Sequence, residues 1–337
     1  MNFQNPIQWD LDLIKRYDLS GPRYTSYPTA VQFDPNLQPE ALVQSALSTT
    51  DKHAPLSLYV HIPFCAHVCY YCACNKVITR NRDRAQPYLE RVYREMEYLS
   101  SLYDNNRIVN QLHWGGGTPT FISDNQMREL MEQLRKNFNL RDDDQGDYSI
   151  EIDPREASDD TLRVLRECGF NRISLGVQDL DIRVQEAVNR VQPLEQTERV
   201  LNTARALGFQ SINMDLIYGL PHQTLSSFDA TLDEIIRMSL IACLSLTTLT
   251  YRIAFVRKNT FNPTPCHLPM SNWISYNTPL INYWVRAMSI SAWIILQSRM
   301  TALRLPSKMA NCIATFKATP HTLIVTWLQL VCPLLAR

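Results

Sequence analysis

The feature that most limits the fold of this chain is a repeated order: a short apolar run, a loop, then a helically spaced segment. β-prone runs at residues 58–62, 109–114, 148–153, 172–178 and 211–221 (the last with its loop) each precede such a segment. Helical spacing appears at 39–48 and then at 84–103, 124–138, 158–168, 181–191, 195–207 and 224–236. In 84–103, Tyr88, Leu89, Val92, Met96 and Leu99 recur on one face, as core residues do. Five strand–helix units predict an α/β fold with a parallel sheet, a βα barrel. Barrels carry their chemistry on the loops at the C-terminal ends of the strands.

The first such loop reads Cys65-Ala66-His67-Val68-Cys69-Tyr70-Tyr71-Cys72-Ala73-Cys74. The spacing C-x3-C-x2-C lets three thiolates, Cys65, Cys69 and Cys72, hold three irons of a 4Fe-4S cube. The fourth iron is then open to a substrate or cofactor. The competing reading is a structural zinc site that draws on His61 or His67. Such sites pair two C-x2-C knuckles far apart, and no second knuckle exists here. Met1-Asn2-Phe3-Gln4-Asn5 lacks the basic and apolar character of a secretory leader. With nine cysteines, that predicts reduced thiols in the cytoplasm.

Other loops offer ligand-facing groups. Gly115-Gly116-Gly117 ends the second run, where missing side chains let a ligand approach backbone N–H groups; a tight turn needs glycine too. Glu151 lies mid-strand between Ile150 and Ile152, so its carboxylate points inward and must be paired. A ribose diol, an ammonium or a structural salt bridge would each serve. Gln178 and Asp179 close the fourth run, Arg190 follows it, and Asp215 is a single carboxylate in the fifth. Near the N-terminus, Gly21-Pro22-Arg23-Tyr24-Thr25-Ser26-Tyr27-Pro28 reads as an extended arm. There Arg23 with Tyr24 and Tyr27 either faces a flat anionic ligand or is solvated. Cys168 before Gly169 reads as buried and inert.

The formal net charge of zero gives no basic footprint for nucleic acid. It conceals two unlike parts. From Ile235 to Arg337 there is no Asp, Glu or Gly, while ten Lys and Arg remain there. The missing acids alone have a chance on the order of 10⁻⁵ at usual usage. Four of the six tryptophans lie in this tail, and its apolar runs are too short and interrupted for a membrane span.

These motifs together resemble the oxygen-independent coproporphyrinogen III oxidases, radical S-adenosylmethionine (SAM) enzymes of haem biosynthesis. The resemblance covers residues 9 to about 238. It rests on the Gly21–Ala30 arm, His61-Ile62-Pro63-Phe64-Cys65, the cysteine loop, His113 to Thr120, Glu151 to Glu156, Gly176 to Asp179 and Asp215 to Pro221. It implies a partial (βα)6 barrel followed by a helical C-terminal domain. It also implies that Cys65, Cys69 and Cys72 ligate the cluster, and that Tyr59, Tyr71, Gly115 and Glu151 contact the SAM on it. Gly116, Gly117, Gln178, Arg190 and Asp215 match positions near a second SAM, and Arg23 would help cover the substrate, coproporphyrinogen III. In the implied reaction a 5′-deoxyadenosyl radical takes a β-hydrogen from a propionate, which then loses CO₂ and one electron and becomes a vinyl group. An electron donor and an electron acceptor, neither identified by the sequence, complete it. Alternatives are a haem-binding chaperone on the same scaffold, which usually lacks a cysteine equivalent to Cys74, and a zinc-stabilised binding protein.

The resemblance divides the chain into an arm (1–55), a partial barrel (56–238) and a tail (239–337) not expected to fold natively. The tail decodes as an out-of-frame translation. The family carries Asn-Tyr-Ala-His-Leu-Pro near this point. Coded AAC TAC GCT CAC TTA CCG and shifted by one base, it reads Thr-Thr-Leu-Thr-Tyr-Arg, the sequence from Thr247 to Arg252. Likewise Met-Asp-His-Phe-Ala, coded ATG GAT CAT TTT GCA, shifts to the run Trp293-Ile294-Ile295-Leu296. The expected consequence is a sheet without its sixth strand and a chain without oxidase turnover.

Overall fold

In the computed structural model the chain divides into two compact units, Met1–Leu37 with Pro265–Pro320 and Gln38–Thr264 with His321–Arg337. The structure describes residues 38–48 and 53–238, the strands at 244–248 and 326–330, and a few positions among the first 37. In the first unit, Asp10 accepts the backbone N–H of Leu13 at 2.9 Å, and Asp34 that of Asn36 at 2.8 Å.

The second unit contains the repeat. Its elements in order are α1 (Pro39–Leu47), β1 (Leu56–Ile62), the short β2 (Phe64–Cys65) and β3 (Val77–Ile78), α2 (Ala85–Ser100) and β4 (Ile108–Gly116). Then come α3 (Asp124–Asn137), β5 (Asn139–Leu140), β6 (Asp147–Ile152), α4 (Asp159–Glu167), β7 (Arg172–Gln178) and α5 (Ile182–Ala187). Last are α6 (Leu194–Ala206), β8 (Ser211–Tyr218), α7 (Leu225–Arg237), β9 (Leu244–Thr248) and β10 (Thr326–Leu330). Local chemistry sets the boundaries. A Ser123–Gln126 capping box opens α3, and the Ser158 side chain accepts the Thr161 N–H at the start of α4. The five residues expected on one face of α2 are all buried.

The sheet order is β10-β1-β4-β6-β7-β8-β9, with β5 beside β4, and every pairing is parallel. From β1 to β9 each large strand pairs with the next in sequence. Right-handed crossovers between sequential parallel strands put all the helices on one face and leave the other face inside. This is the arrangement of a βα barrel; a doubly wound sheet would reverse its strand order.

Two expectations need correction. The helix predicted over 181–191 ends at Ala187, because Asn189 adopts a left-handed φ of 55° and turns the chain out of the helix. The sheet also does not stop at β8: Leu244–Thr248 pairs with β8 as a sixth strand, and Thr326–Leu330 pairs with β1 on the other edge. Both are short runs of Leu, Thr and other β-prone residues, and each parallel edge offers unpaired backbone groups to such a run. The rest of the predicted tail lies outside the described residues.

A parallel sheet covered on both faces would be apolar throughout. Here burial alternates instead. Trp114, Ile150, Leu175 and Met214 are fully buried, while their neighbours His113, Ser149, Glu151, Ser174, Asn213 and Asp215 are only partly so. The register sets Tyr59 beside His113, His113 beside Ser149, Glu151 beside Ser174, and Gly176 beside Asp215. A band of polar side chains therefore crosses the inner face.

Candidate active site

The cysteine loop leaves β1 at its C-terminal end, and its base is held by hydrogen bonds to the backbone of the glycine turn. Gly117 N–H donates to Ile62 O at 2.8 Å and Thr118 N–H to Phe64 O at 2.8 Å. A Cβ on Gly117 would stand 2.7 Å from Pro63 O, and one on Gly116 (φ +115°) would stand 2.7 Å from the His61 ring. Glycine here is what lets strand, turn and loop approach so closely.

Residues 188–190 clamp the loop from the other side. Val188 O accepts the Tyr70 N–H at 3.0 Å, Asn189 Nδ2 donates to Val68 O at 2.7 Å, and Arg190 Nη1 reaches Cys69 Sγ at 3.5 Å. Thr118 Oγ1 donates to Cys65 Sγ at 3.5 Å. Burial pushes the Cys65 thiol up, against the lowering effect of that hydrogen bond. A hydrogen bond from the Cys74 thiol pulls Cys72 down to about 5 despite burial, assisted by the Cys74 backbone and the Lys76 ammonium. Lys76 Nζ is fixed by Cys72 O at 2.8 Å.

These donors suit a cluster carried on thiolates. Each of the three spaced cysteines has an N–H, O–H or S–H group directed at its sulfur, as anionic sulfur ligands require. Among the described residues no three His, Cys, Asp or Glu side chains converge on a single-ion site. Of the two histidines that a zinc site would use, His61 has both ring nitrogens engaged. His61 lies 3.1 Å from Tyr59 Oη and 2.9 Å from Asn75 O, and His67 Nε2 lies 3.8 Å from Glu156 Oε1.

The remaining candidates fall into two groups. Tyr59, Gly115 and Glu151 meet below the loop, since a Cβ on Gly115 would lie 3.1 Å from Glu151 Cδ, His113 Nε2 and Tyr59 Oη. Glu151 accepts the Gly116 N–H at 3.3 Å and faces His113 Nε2 at 3.4 Å. Both contacts are long, so the carboxylate keeps acceptor capacity for a ligand's hydroxyls or ammonium. Burial pushes the Tyr59 phenol well above its usual value, with Glu151 adding to the effect.

Deeper in the sheet, Asp215 accepts from Ser174 Oγ at 2.7 Å and Asn213 Nδ2 at 2.8 Å. Burial raises its carboxyl to about 6 in spite of both bonds. Gln178 ends β7 at φ +69°, beside a register shift between Gly176 and Gln178. Such strain in a non-glycine residue collects where a side chain must be aimed. Arg190 is buried and committed to Gly176 O at 2.6 Å, Asp153 Oδ2 at 3.0 Å and Cys69 Sγ; its buried Nε has no partner among the described residues. Tyr71 packs against Val184, Val188, Ile217 and Leu220. Arg23 lies outside the described residues.

Sequence reasoning gave no role to Thr118, His113, Ser174, Asn213 or Arg155. The alternation of polar with apolar residues in β4, β7 and β8 was the available signal for three of them, His113, Ser174 and Asn213.

The profile of the "Radical SAM superfamily" matches residues 59–235, more than half of the chain. The chain belongs to the radical SAM superfamily. Radical SAM proteins use a 4Fe-4S cluster and S-adenosylmethionine. Among curated relatives, an oxygen-independent coproporphyrinogen III oxidase of Pseudomonas aeruginosa is 60% identical over 232 residues, 69% of this chain and 50% of the relative. That of Escherichia coli is 48% identical over 233 residues, again 69% and 50%. The solved structure of the Escherichia coli coproporphyrinogen III oxidase, described as a radical SAM enzyme, aligns with TM-score 0.73 at 40% identity. It covers 83% of this chain and 62% of that one. The chain thus spans about half the length of the curated relatives it matches. Among the described residues, no helix is long and apolar enough to cross a membrane.

Proposed function

We propose that this chain carries the radical SAM half of an oxygen-independent coproporphyrinogen III oxidase, with coproporphyrinogen III as substrate and protoporphyrinogen IX as product. The observation that carries the reading is the Cys65, Cys69 and Cys72 loop, fastened over a glycine turn and a polar band inside a parallel barrel. The 60% and 48% identities to oxidases of that name support the choice of reaction.

In this reading Cys65, Cys69 and Cys72 hold the cluster. Gly115 and Glu151 receive the SAM bound to it, the glycine through its open backbone and the glutamate through hydroxyl or ammonium hydrogen bonds. When bound and reduced by one electron, cluster and SAM supply a carbon radical that abstracts a hydrogen atom. The chain's own part is to position and shield. Tyr59, His113 and Glu151 orient the ligand, and Asp215 with Ser174 and Asn213 offers a second polar anchor. For each propionate, one β-hydrogen atom leaves, the C–COO⁻ bond breaks to release CO₂, and one electron passes to an external acceptor. The carbon pair becomes a vinyl group.

In the same reading, residues 239–337 are an out-of-frame tail that stands in place of the family's last part. The family profile ends at residue 235, and Asp, Glu and Gly are absent from Ile235 onward. The test is anaerobic reconstitution with iron and sulfide, followed by two assays with dithionite: 5′-deoxyadenosine release, then porphyrinogen product. The reading expects cluster and slow SAM cleavage without protoporphyrinogen IX. A chain that binds zinc stoichiometrically and no iron would overturn it.

A further inference from the structure

Three charged side chains are packed at the Cys69 corner of the loop and are not used in the reading above. Asp153 follows β6, and its carboxylate takes Arg155 through Nε at 3.0 Å (to Oδ1) and Nη2 at 2.7 Å (to Oδ2). The same carboxylate takes Arg190 Nη1 at 3.0 Å. Both guanidiniums also point at one sulfur: Arg190 Nη1 lies 3.5 Å and Arg155 Nη2 3.9 Å from Cys69 Sγ. The side chains of Asp153, Arg155 and Arg190 are 10%, 15% and 8% exposed, so little water screens them.

The charges do not balance within the network. Two guanidiniums against one carboxylate leave one positive charge in a buried site, which is costly unless an anion completes it. The nearest group able to do so is the Cys69 sulfur as thiolate, together with whatever it ligates. A 4Fe-4S cube on three thiolates is anionic and becomes more so when it accepts an electron. A fixed positive charge beside it therefore stabilises the reduced form more than the oxidised form.

We propose that the Asp153–Arg155–Arg190 network acts on the cluster held at Cys69, raising its reduction potential through one uncompensated buried guanidinium charge. The proposal rests on the cluster reading above. Arg155 is the residue to vary: Arg155→Gln leaves Asp153 paired with Arg190 and removes the excess charge. The cap on Asp153 survives, because its side chain also accepts the Arg155 backbone N–H at 3.0 Å. Arg155→Lys keeps the charge, and Asp153→Asn adds to the excess.

The experiment is a redox titration of the anaerobically reconstituted full chain, read by the electron paramagnetic resonance of the reduced cluster, with iron and sulfide counted in each sample. Arg155→Gln should keep its iron and lower the reduced-to-oxidised ratio at the parent midpoint about tenfold, a shift of roughly 59 mV for one electron. Arg155→Lys should hold the parent potential, and Asp153→Asn should move it upward. A full iron complement with unchanged potential in Arg155→Gln overturns the proposal and leaves the cluster reading intact, as does a shift of both charge variants in one direction. Loss of iron in Arg155→Gln but not in Arg155→Lys overturns the effect on potential and makes the charge a requirement for cluster retention instead. Loss in both reduces the network to a salt bridge that shapes the loop. A parent chain that assembles no cluster overturns the cluster reading itself, and this proposal with it.

Discussion

Ser174 Oγ lies 2.7 Å from Asp215 Oδ2, donating from one parallel strand to the next inside the barrel. The bond does not offset the burial of the carboxylate, whose pKa rises from 3.8 to about 6. A carboxyl raised on folding stabilises the fold most below its unfolded pKa, and that contribution is lost as pH rises through the folded value. Between about 4 and 6 the Asp215 contribution therefore fades, and above 6 the charged form is held at a cost of about 3 kcal/mol at most. Asp215→Asn removes this cost and sacrifices part of one hydrogen bond, about 1 kcal/mol. The variant should gain stability relative to its parent at pH 8 and lose that gain by pH 4. Urea melts at the two pH values measure it; an identical difference at both would show that Asp215 is not strained by burial.

Cys74 is the exposed fourth cysteine of the loop, and its thiol donates to Cys72. Replacement of Cys65, Cys69 or Cys72 by Ser should abolish the broad absorbance near 400 nm (on the order of that wavelength for iron–sulfur charge transfer) after reconstitution. Cys74→Ala should keep the band. It should also raise the Cys72 pKa in the apo chain, so that alkylation of Cys72 at pH 6 slows. A Cys74 variant with no band would place Cys74 among the ligands.

Glu151 has two long in-chain contacts, 3.3 Å and 3.4 Å, where a structural salt bridge would be short. Glu151→Gln should therefore weaken SAM binding by about 1.5–3 kcal/mol, the value of a hydrogen bond to a charged group, with the iron content unchanged. Equilibrium dialysis with labelled SAM reports the change. Unchanged affinity would leave Glu151 as a structural partner of the Gly116 N–H and His113.

Gly117 and Gly208 separate two costs of adding a methyl group. At Gly117 the Cβ meets the Pro63 and Phe64 backbone at 2.7–2.8 Å, whereas at Gly208 (φ +76°) it meets nothing within 4 Å. Gly208→Ala should cost about 1 kcal/mol through its backbone conformation and leave SAM binding alone. Gly117→Ala should cost about 1–3 kcal/mol by overpacking and also displace the loop, so that iron is retained poorly. Thermal melts and iron counts distinguish them; equal iron retention in both variants would detach the turn from the loop.

Much of this was legible in the sequence because the local signals agree. Apolar runs that each precede a helical segment, the helix with its buried face at Tyr88, Leu89, Val92, Met96 and Leu99, and the Gly169 turn (φ +102°) each appear where expected. The inward carboxylates Glu151 and Asp215 were visible as single charges in apolar strands. The Cys69 corner was not. Arg155 and Arg190 meet that sulfur across 86 and 121 residues, so only the tertiary fold brings them together. Nor did periodicity reveal β9 and β10, because edge pairing depends on an available neighbour as much as on sequence.

The last prediction concerns the reading frame beyond residue 238. β9 occupies the position of a sixth strand with Leu-Ser-Leu-Thr-Thr, yet the one-base shift that restores the family's Asn-Tyr-Ala-His-Leu-Pro begins at its Thr247. An out-of-frame segment can still pair, because a parallel edge needs only backbone groups and β-prone side chains. With no Asp, Glu or Gly from Ile235 onward, the segment offers only Ser, Thr and Asn as helix caps and no glycine for its turns. The gene should therefore show a frame matching the family past codon 238 after a single-base correction. The corrected protein should produce protoporphyrinogen IX, while the chain as written should not, at equal iron content. An uncorrectable frame would overturn the origin. Full turnover by the chain as written would show that the barrel to Met238, with β9 and β10 on its edges, suffices for the chemistry.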